Sequence, residues 1–435
     1  MSTKILFEKG ERAVNEFTSN YHTGIDLIHH PPNEVGITDE NLMEFAYALE
    51  TTKTEIEHMK TIGRKILQET IQTLSNANNI EKIFMSECHL CNCGRNDCGF
   101  DLVILMKEGE DVHTTTDNIK ERVNEFTSAA AGRGGGATVT ETKTGVSKGT
   151  TGASSVERHE PKSAHATALH FEYDNVHVNI AVGTMYGNTE ESNREKIWAK
   201  IEQLDKADQL KKVHLDQFAI DMYESMTLFM NNQVRPETMT AATTEVGNEK
   251  FLQGALILAR AWRQCCLSSR DIQFSPLDAW LIMLNAVHTE IVRHPQGMVT
   301  EKKEGAAGIG GAVSGVRKAL KDLFKGKHKT HETGEGGLSM KGVMKEFLNQ
   351  LNNLEVMNIQ FTDFYTQNKV PEWIKTQRPL VLDPVCPYRN TVYNLHKQVN
   401  DDIKKHANEC LKMLDDPNAS LTKLFHLPTY KRRGA

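Results

Sequence analysis

Positive charge is in short supply: 51 Lys and Arg stand against 57 Asp and Glu, a formal charge of −6 over 435 residues. No global basic field draws this protein to nucleic acid, so any RNA-binding surface has to be a local patch. Long apolar runs are missing as well. The opening MSTKILFEKGERAV has no signal-peptide core, and stretches such as ALILARAW and AWLIMLNAV are far too short to span a bilayer. The expectation is a soluble protein, cytoplasmic or also nuclear, with no membrane partner. Eight cysteines are too few for a secreted disulfide framework in a chain of this length. What is present is enough apolar residue, 39%, to bury a large core in two or three domains.

Residues 1 to 50 read as an N-terminal extension. From Thr51 to Leu74, Ile56, Met59, Ile62, Ile66, Ile71 and Leu74 recur at near-helical spacing with Lys and Glu between them, which predicts a long amphipathic helix. After a Cys-rich turn comes FDLVILM, whose continuous apolar run suits a strand buried on both faces. ALHFEY and VHVNIAVG, separated by Asp174 and Asn175, predict a β-hairpin. Near residues 190 to 210 the pattern turns helical, through YESMTLFMNNQ, FLQGALILARAWRQCC, SPLDAWLIMLNAV, VMKEFLNQLNNLEVM and VNDDIKKHANECLKML. Residues 129 to 164 and 296 to 340 lack periodicity and read as disordered insertions, the second with a basic centre, VRKALKDLFKGKHK. The expected fold is α/β: a strand-rich lobe over 51–205, a helical lobe over 206–420 with a cleft between them, and a tail over 421–435.

Four landmarks stand in order: GRNDCGFDLVILM, ALHFEYDNVHVNIAVG, FLQGALILARAWRQCC followed by SPLDAWLIMLNAV, and RPLVLDPVCPYRN. Together they resemble the 2′-5′-oligoadenylate synthetases of the nucleotidyltransferase superfamily that also contains cyclic GMP–AMP synthase. RPLVLDPVCP carries most of the resemblance, since the family has an Arg-Pro, aliphatic, Asp-Pro pattern there. The resemblance implies a nucleotidyltransferase-fold lobe with a central mixed sheet beside a helical lobe. In an active member two Mg²⁺ ions are held by three carboxylates, two alternating on one strand and the third on a neighbouring strand. Matched residue by residue, the first acid falls on Gly99, the second on Asp101 and the third on Asn179.

Only Asp101 keeps its carboxylate, and the Gly-Ser turn that would cradle the donor phosphates is replaced by MSECHLCNCG. Asp97 is a possible substitute, but four residues of extended chain separate it from Asp101 by about 13 Å, against about 3.5–4 Å between paired catalytic metals. Glu172 and Asp174 are further substitutes, and His177 shares a strand face with Asn179. The expectation is therefore a pseudoenzyme with no resident cofactor, its partners double-stranded RNA or a protein in innate immunity or small-RNA pathways. The rival is an active enzyme joining NTPs with Mg²⁺.

Other clusters have alternative readings. Cys88, Cys91, Cys93 and Cys98, with His89 among them, could hold a structural zinc ion or be reduced thiols in a loop, and in the first case the chain would be a zinc-stiffened scaffold. The resemblance gives Arg260 a nucleotide-binding role, since the family has a triphosphate-contacting Lys there; a solvated helix edge, with Trp262 packed, is the other reading. Lys53, Lys60, Arg64 and Lys65 lie where the family's RNA surface begins, or form a solvated helix face.

Overall fold

A computed structural model describes residues 2–16, 36–49, 53–87, 99–131, 157–158, 168–174, 176–207, 209–210, 215–234, 248–267, 274–293, 338–393 and 395–425, with only the backbone described for some, among them Lys53, His170, Glu172 and His177. The architecture is α/β. A mixed sheet is built from β1 (Ile80–Glu87), β2 (Gly99–Lys107), β3 (Glu157–Arg158), β4 (Ala168–Tyr173) and β5 (Val176–Met185), in the order β1-β2-β5-β4-β3. The central pair, β2 and β5, is parallel, and the other pairings are antiparallel.

Period-two alternation decides what each face of this sheet does. Phe100, Leu102, Ile104 and Met106 of β2, Leu169, Phe171 and Tyr173 of β4, and Val176, Val178, Ile180 and Val182 of β5 share one core. That core is closed by α1 (Ser2–Glu16), α3 (Lys53–Ile66) and α4 (Val112–Ala131), which bring Val14, Ile62, Ile66, Ile119 and Val123. The predicted helix over 51–74 is thus real but divided: α3 gives way to a π turn over Leu67–Ile71. On the opposite face Val103, Leu105, Ala181 and Met185 meet Ile220 of α6 (Leu215–Asp221) and Tyr223 of α7 (Tyr223–Val234). Both faces of β2 are therefore covered over most of its length, which accounts for its unbroken apolar run.

The helical lobe packs α8 (Asn248–Cys266), α9 (Pro276–Arg293), α10 (Met340–Asn352) and α12 (Lys397–Asp415), after α5 (Glu190–Lys206) has led out of the sheet. A two-residue parallel pair, β6 (Asn358–Ile359) with β7 (Leu380–Val381), and the short α11 (Glu372–Lys375) and α13 (Leu421–Leu424) complete it. Sequence boundaries shift in several places. The described parts of 1–50 pack onto the rest of the fold: Lys9 of α1 donates to the carbonyl of Ile80 at 2.8 Å, whereas α2 (Asp39–Ala48) joins the helical lobe, with the Phe45 ring tilted against Phe425 at 4.8 Å. The first insertion is shorter than 129–164, because α4 runs to Ala131 and Glu157–Arg158 pairs with β4. The remainder of both insertions lies outside the described residues.

Candidate functional site

Parallel register places Asp101 of β2 directly beside Asn179 of β5. Both side chains are 1% exposed, and the Asn179 amide donates to the Asp101 carboxylate, Nδ2 to Oδ1, at 2.6 Å. The row continues across the sheet. Ser86 of β1 pairs with Asp101, and its hydroxyl is hydrogen-bonded to the phenol of Tyr223 at the start of α7. On the other side His170 of β4 pairs with Asn179 and Glu157 of β3 pairs with His170. A second row lies one step nearer the start of β2: Gly99 pairs with His177, and His177 with Glu172. The structure thus brings Gly99, Asp101 and Asn179 to one corner of the sheet face.

The residues at these positions do not fit a pair of Mg²⁺ ions. Gly99 has no side chain, Asn179 supplies a neutral amide, and that amide already binds the one carboxylate of the set. Mg²⁺ favours anionic oxygens in near-octahedral geometry, and a single engaged carboxylate cannot balance two divalent charges. Asp174 is no substitute. It sits in the hairpin turn with φ +53°, exposed, and its carboxylate lies 3.5 Å from His58 Nε2 of α3, on the helix-covered side of the sheet. Glu172, by contrast, is on the site face by register. Asp97 and the cysteines Cys88, Cys91, Cys93 and Cys98 lie outside the described residues.

Arg260 and Trp262 separate in the fold. Trp262 is fully buried, edge-on to Phe347 at 5.6 Å in the core of the helical lobe, while Arg260 is half-buried on α8. On α3, Lys60 pairs with Glu57, Arg64 bonds Glu11 and Asn15 of α1 at 3.3 and 3.0 Å, and Lys65 lies 5.9 Å from the Tyr173 ring centroid.

Sequence reasoning missed Asp221. At the end of α6 it is 1% exposed and accepts hydrogen bonds from the Thr184 backbone at 2.8 Å and Gln217 at 3.3 Å. Burial pushes its carboxyl up to about 7, opposed by those two bonds and by Lys200. Asn193 of α5 completes the junction, donating to the Asp221 carbonyl while its own oxygen accepts from Tyr186. No spacing signal announces an acid of this kind, since its setting arises from elements distant in sequence.

RPLVLDPVCPYRN, the most specific stretch of the resemblance, is a joint. The Asp383 carboxylate accepts from the backbone of Val385 and Cys386 and from Arg389, which also bonds Asp216 of α6. Trp198 of α5 donates to the Val385 carbonyl at 2.9 Å.

No family model matches the chain, and no curated protein does. Among solved structures it is similar to E. coli MS115-1 CdnC with ATP, at a TM-score of 0.47 and 12% identity over 90% of this chain and 96% of that one. It is also similar to the E. coli MS115-1 CdnC:HORMA-deltaN complex, at 0.39 and 12% over 91% of each, and to mtPAP in complex with UTP, at 0.39 and 10% over 88% of this chain and 72% of that one. Similarities at this level leave the chemistry of the site to its own residues.

Proposed function

We propose that this chain is a nucleotidyltransferase-fold protein of the oligoadenylate synthetase type that has lost nucleotidyl transfer and works by binding, with double-stranded RNA as its partner. What supports the loss is the hydrogen bond from Asn179 to Asp101, at 2.6 Å. In a working site the third acid would share a metal with the second; here its position holds an amide that satisfies the second acid directly. The first position, Gly99, contributes nothing to a cation. Charge-assisted bonds of this kind are stronger than neutral ones, so the pair resists opening toward a metal.

The RNA half of the reading rests on Lys60, Arg64 and Lys65 along one helix. Lys60 and Arg64 are held in partly buried ion pairs with Glu57 and Glu11, whereas Lys65 is exposed and lies over the Tyr173 ring, so Lys65 is the cation most open to phosphate. A-form RNA is recognised by charge and shape, which suits a local basic face on a chain of negative net charge.

The test is incubation of the purified full chain with ATP and GTP, with Mg²⁺ or Mn²⁺ and with or without double-stranded RNA, followed by chromatography for new oligonucleotide or cyclic dinucleotide. No product is expected under any condition. A product that disappears in Asp101→Ala would overturn the proposal and install the active-enzyme reading in its place.

A further inference from the structure

Cys266, Cys386 and Cys410 are free thiols buried in the core of the helical lobe. Two of them meet. Cys266 is the last residue of α8, and Cys410 lies on the core face of α12 with Ile403, Ala407 and Leu414, at the spacing that lines one side of a helix. Their side chains are hydrogen-bonded to each other across the two helices. Trp262, one turn before Cys266 on the same face of α8, also faces Cys410. The Cys410 thiol donates in addition to the Leu424 carbonyl of α13 at 3.2 Å, so three helices converge on this sulfur. Cys386 is placed differently. Its backbone N–H bonds the Asp383 carboxylate, and burial together with that charge pushes its thiol up to about 12. A thiol so poorly ionised is a weak nucleophile at neutral pH.

We propose that Cys266 and Cys410 are a redox modification site, forming a reversible disulfide that ties α8 to α12 when the chain meets a small disulfide of the glutathione class. Cys266 is 6% exposed and Cys410 fully buried, so Cys266 reacts first. It loses its proton, and its sulfur attacks one sulfur of the oxidant, breaking that S–S bond and releasing one thiolate. Cys410 then loses its proton and attacks the Cys266 sulfur of the mixed disulfide, expelling the second thiolate. Two electrons pass to the oxidant, and the two protons end on the released thiols. Sulfurs already in hydrogen-bond contact need only close to about 2 Å for the bond to form. The loop it closes, residues 266–410, contains α9, α10 and the Asp383–Arg389 joint, and a loop of that length constrains the unfolded chain strongly. The inference is independent of the nucleotide and RNA readings.

The test uses the full chain with Cys88, Cys91, Cys93, Cys98 and Cys265 replaced by Ser, which leaves Cys266, Cys386 and Cys410 as its thiols. The reduced, folded protein is incubated with oxidised glutathione, and its intact mass, non-reduced peptide map and melting temperature are measured. The expected result is loss of two hydrogens, one cross-linked peptide pair joining Cys266 to Cys410, and a melting temperature raised by on the order of 10 °C. A dithiol reductant should reverse all three changes. Cys266→Ala or Cys410→Ala should abolish the cross-link and the melting shift, and either one serves if the other does not fold. Thiols that stay unmodified, a glutathione adduct that never resolves, or a link through Cys386 would overturn the proposal. So would a cross-link that lowers the melting temperature, because the bond would then have formed from an opened chain and not from the native contact.

Discussion

Asp221 couples protonation to stability at a single residue. Its folded pKa, about 7, lies above the ordinary carboxyl value of 3.8, so the native state holds the proton more tightly than the unfolded chain does. The stability linked to that proton is fully present below pH 3.8 and is lost as pH rises through about 7. Asp221→Asn keeps an oxygen to accept from Thr184 and Gln217 and removes the titration. Urea unfolding at intervals from pH 4 to 8 should show the variant gaining on the wild type as pH rises, by on the order of 4 kcal/mol across the window. Parallel curves would assign the pH dependence to other groups. Asp101 and Asn179 make a second residue-scale prediction. Placing acids at Gly99 and Asn179 in a Gly99→Asp, Asn179→Asp variant sets three carboxylates side by side, which repel one another until a cation enters. The variant should melt below the wild type without metal, and Mg²⁺ should raise its melting temperature while leaving the wild type unmoved.

At the scale of elements, the contact of β5 with α6 shows how closely the sheet is capped. A Cβ added at Gly183 would stand 2.8 Å from Asp221 Oδ1, 2.9 Å from Leu105 Cδ2 and 3.0 Å from Ile220 Cγ2. Gly183→Ala should therefore lower stability by about 1–3 kcal/mol, the usual cost of overpacking, in thermal or urea unfolding. The Asp383–Arg389–Asp216 joint carries a larger effect. Asp383 is fully buried, and Arg389→Met would leave its charge with two backbone donors and no cation. A loss of about 3–5 kcal/mol is expected. Arg389→Lys should not rescue it, because one ammonium cannot reproduce the fork that spans both carboxylates. How much of this was legible in the sequence varies by element. The alternation of ALHFEY and VHVNIAVG specified the hairpin and its core face, because a one-residue slip would have put Leu169 and Phe171 on the polar side. The apolar run of FDLVILM announced burial on both faces for the same reason. The joint was visible only as a motif, since no local pattern shows that Arg389 reaches back to Asp216. The Asp221 setting was invisible, because Thr184, Gln217 and Asn193 meet it only after β5, α5 and α6 have docked.

Across the whole molecule, the α6–α7 segment is a shared wall: Ile220 and Tyr223 face the sheet, while Phe218, Met222, Met226 and Phe229 enter the helical core. Lys82 of β1 and Glu224 of α7 add an ion pair across the same junction. The two cores therefore have no independent surface at this boundary, and a substrate-like partner need not clamp the lobes together for the fold to persist. That matters for the RNA reading, because net charge opposes it: at −6 overall, duplex RNA is repelled at long range and held only where a basic face is presented. Binding should consequently be weak and fall steeply with salt. Replacing Lys65, which is exposed, should reduce the slope of log K against log salt by about 1 without altering preference among RNA sequences. The measurement is fluorescence anisotropy of a labelled duplex over a salt series, with wild type, Lys65→Gln and Lys60→Gln/Lys65→Gln compared. A stepwise loss of slope locates the phosphate contacts on α3; an affinity that is insensitive to salt, or equal in all three proteins, removes RNA from that helix and leaves a protein as the partner to seek.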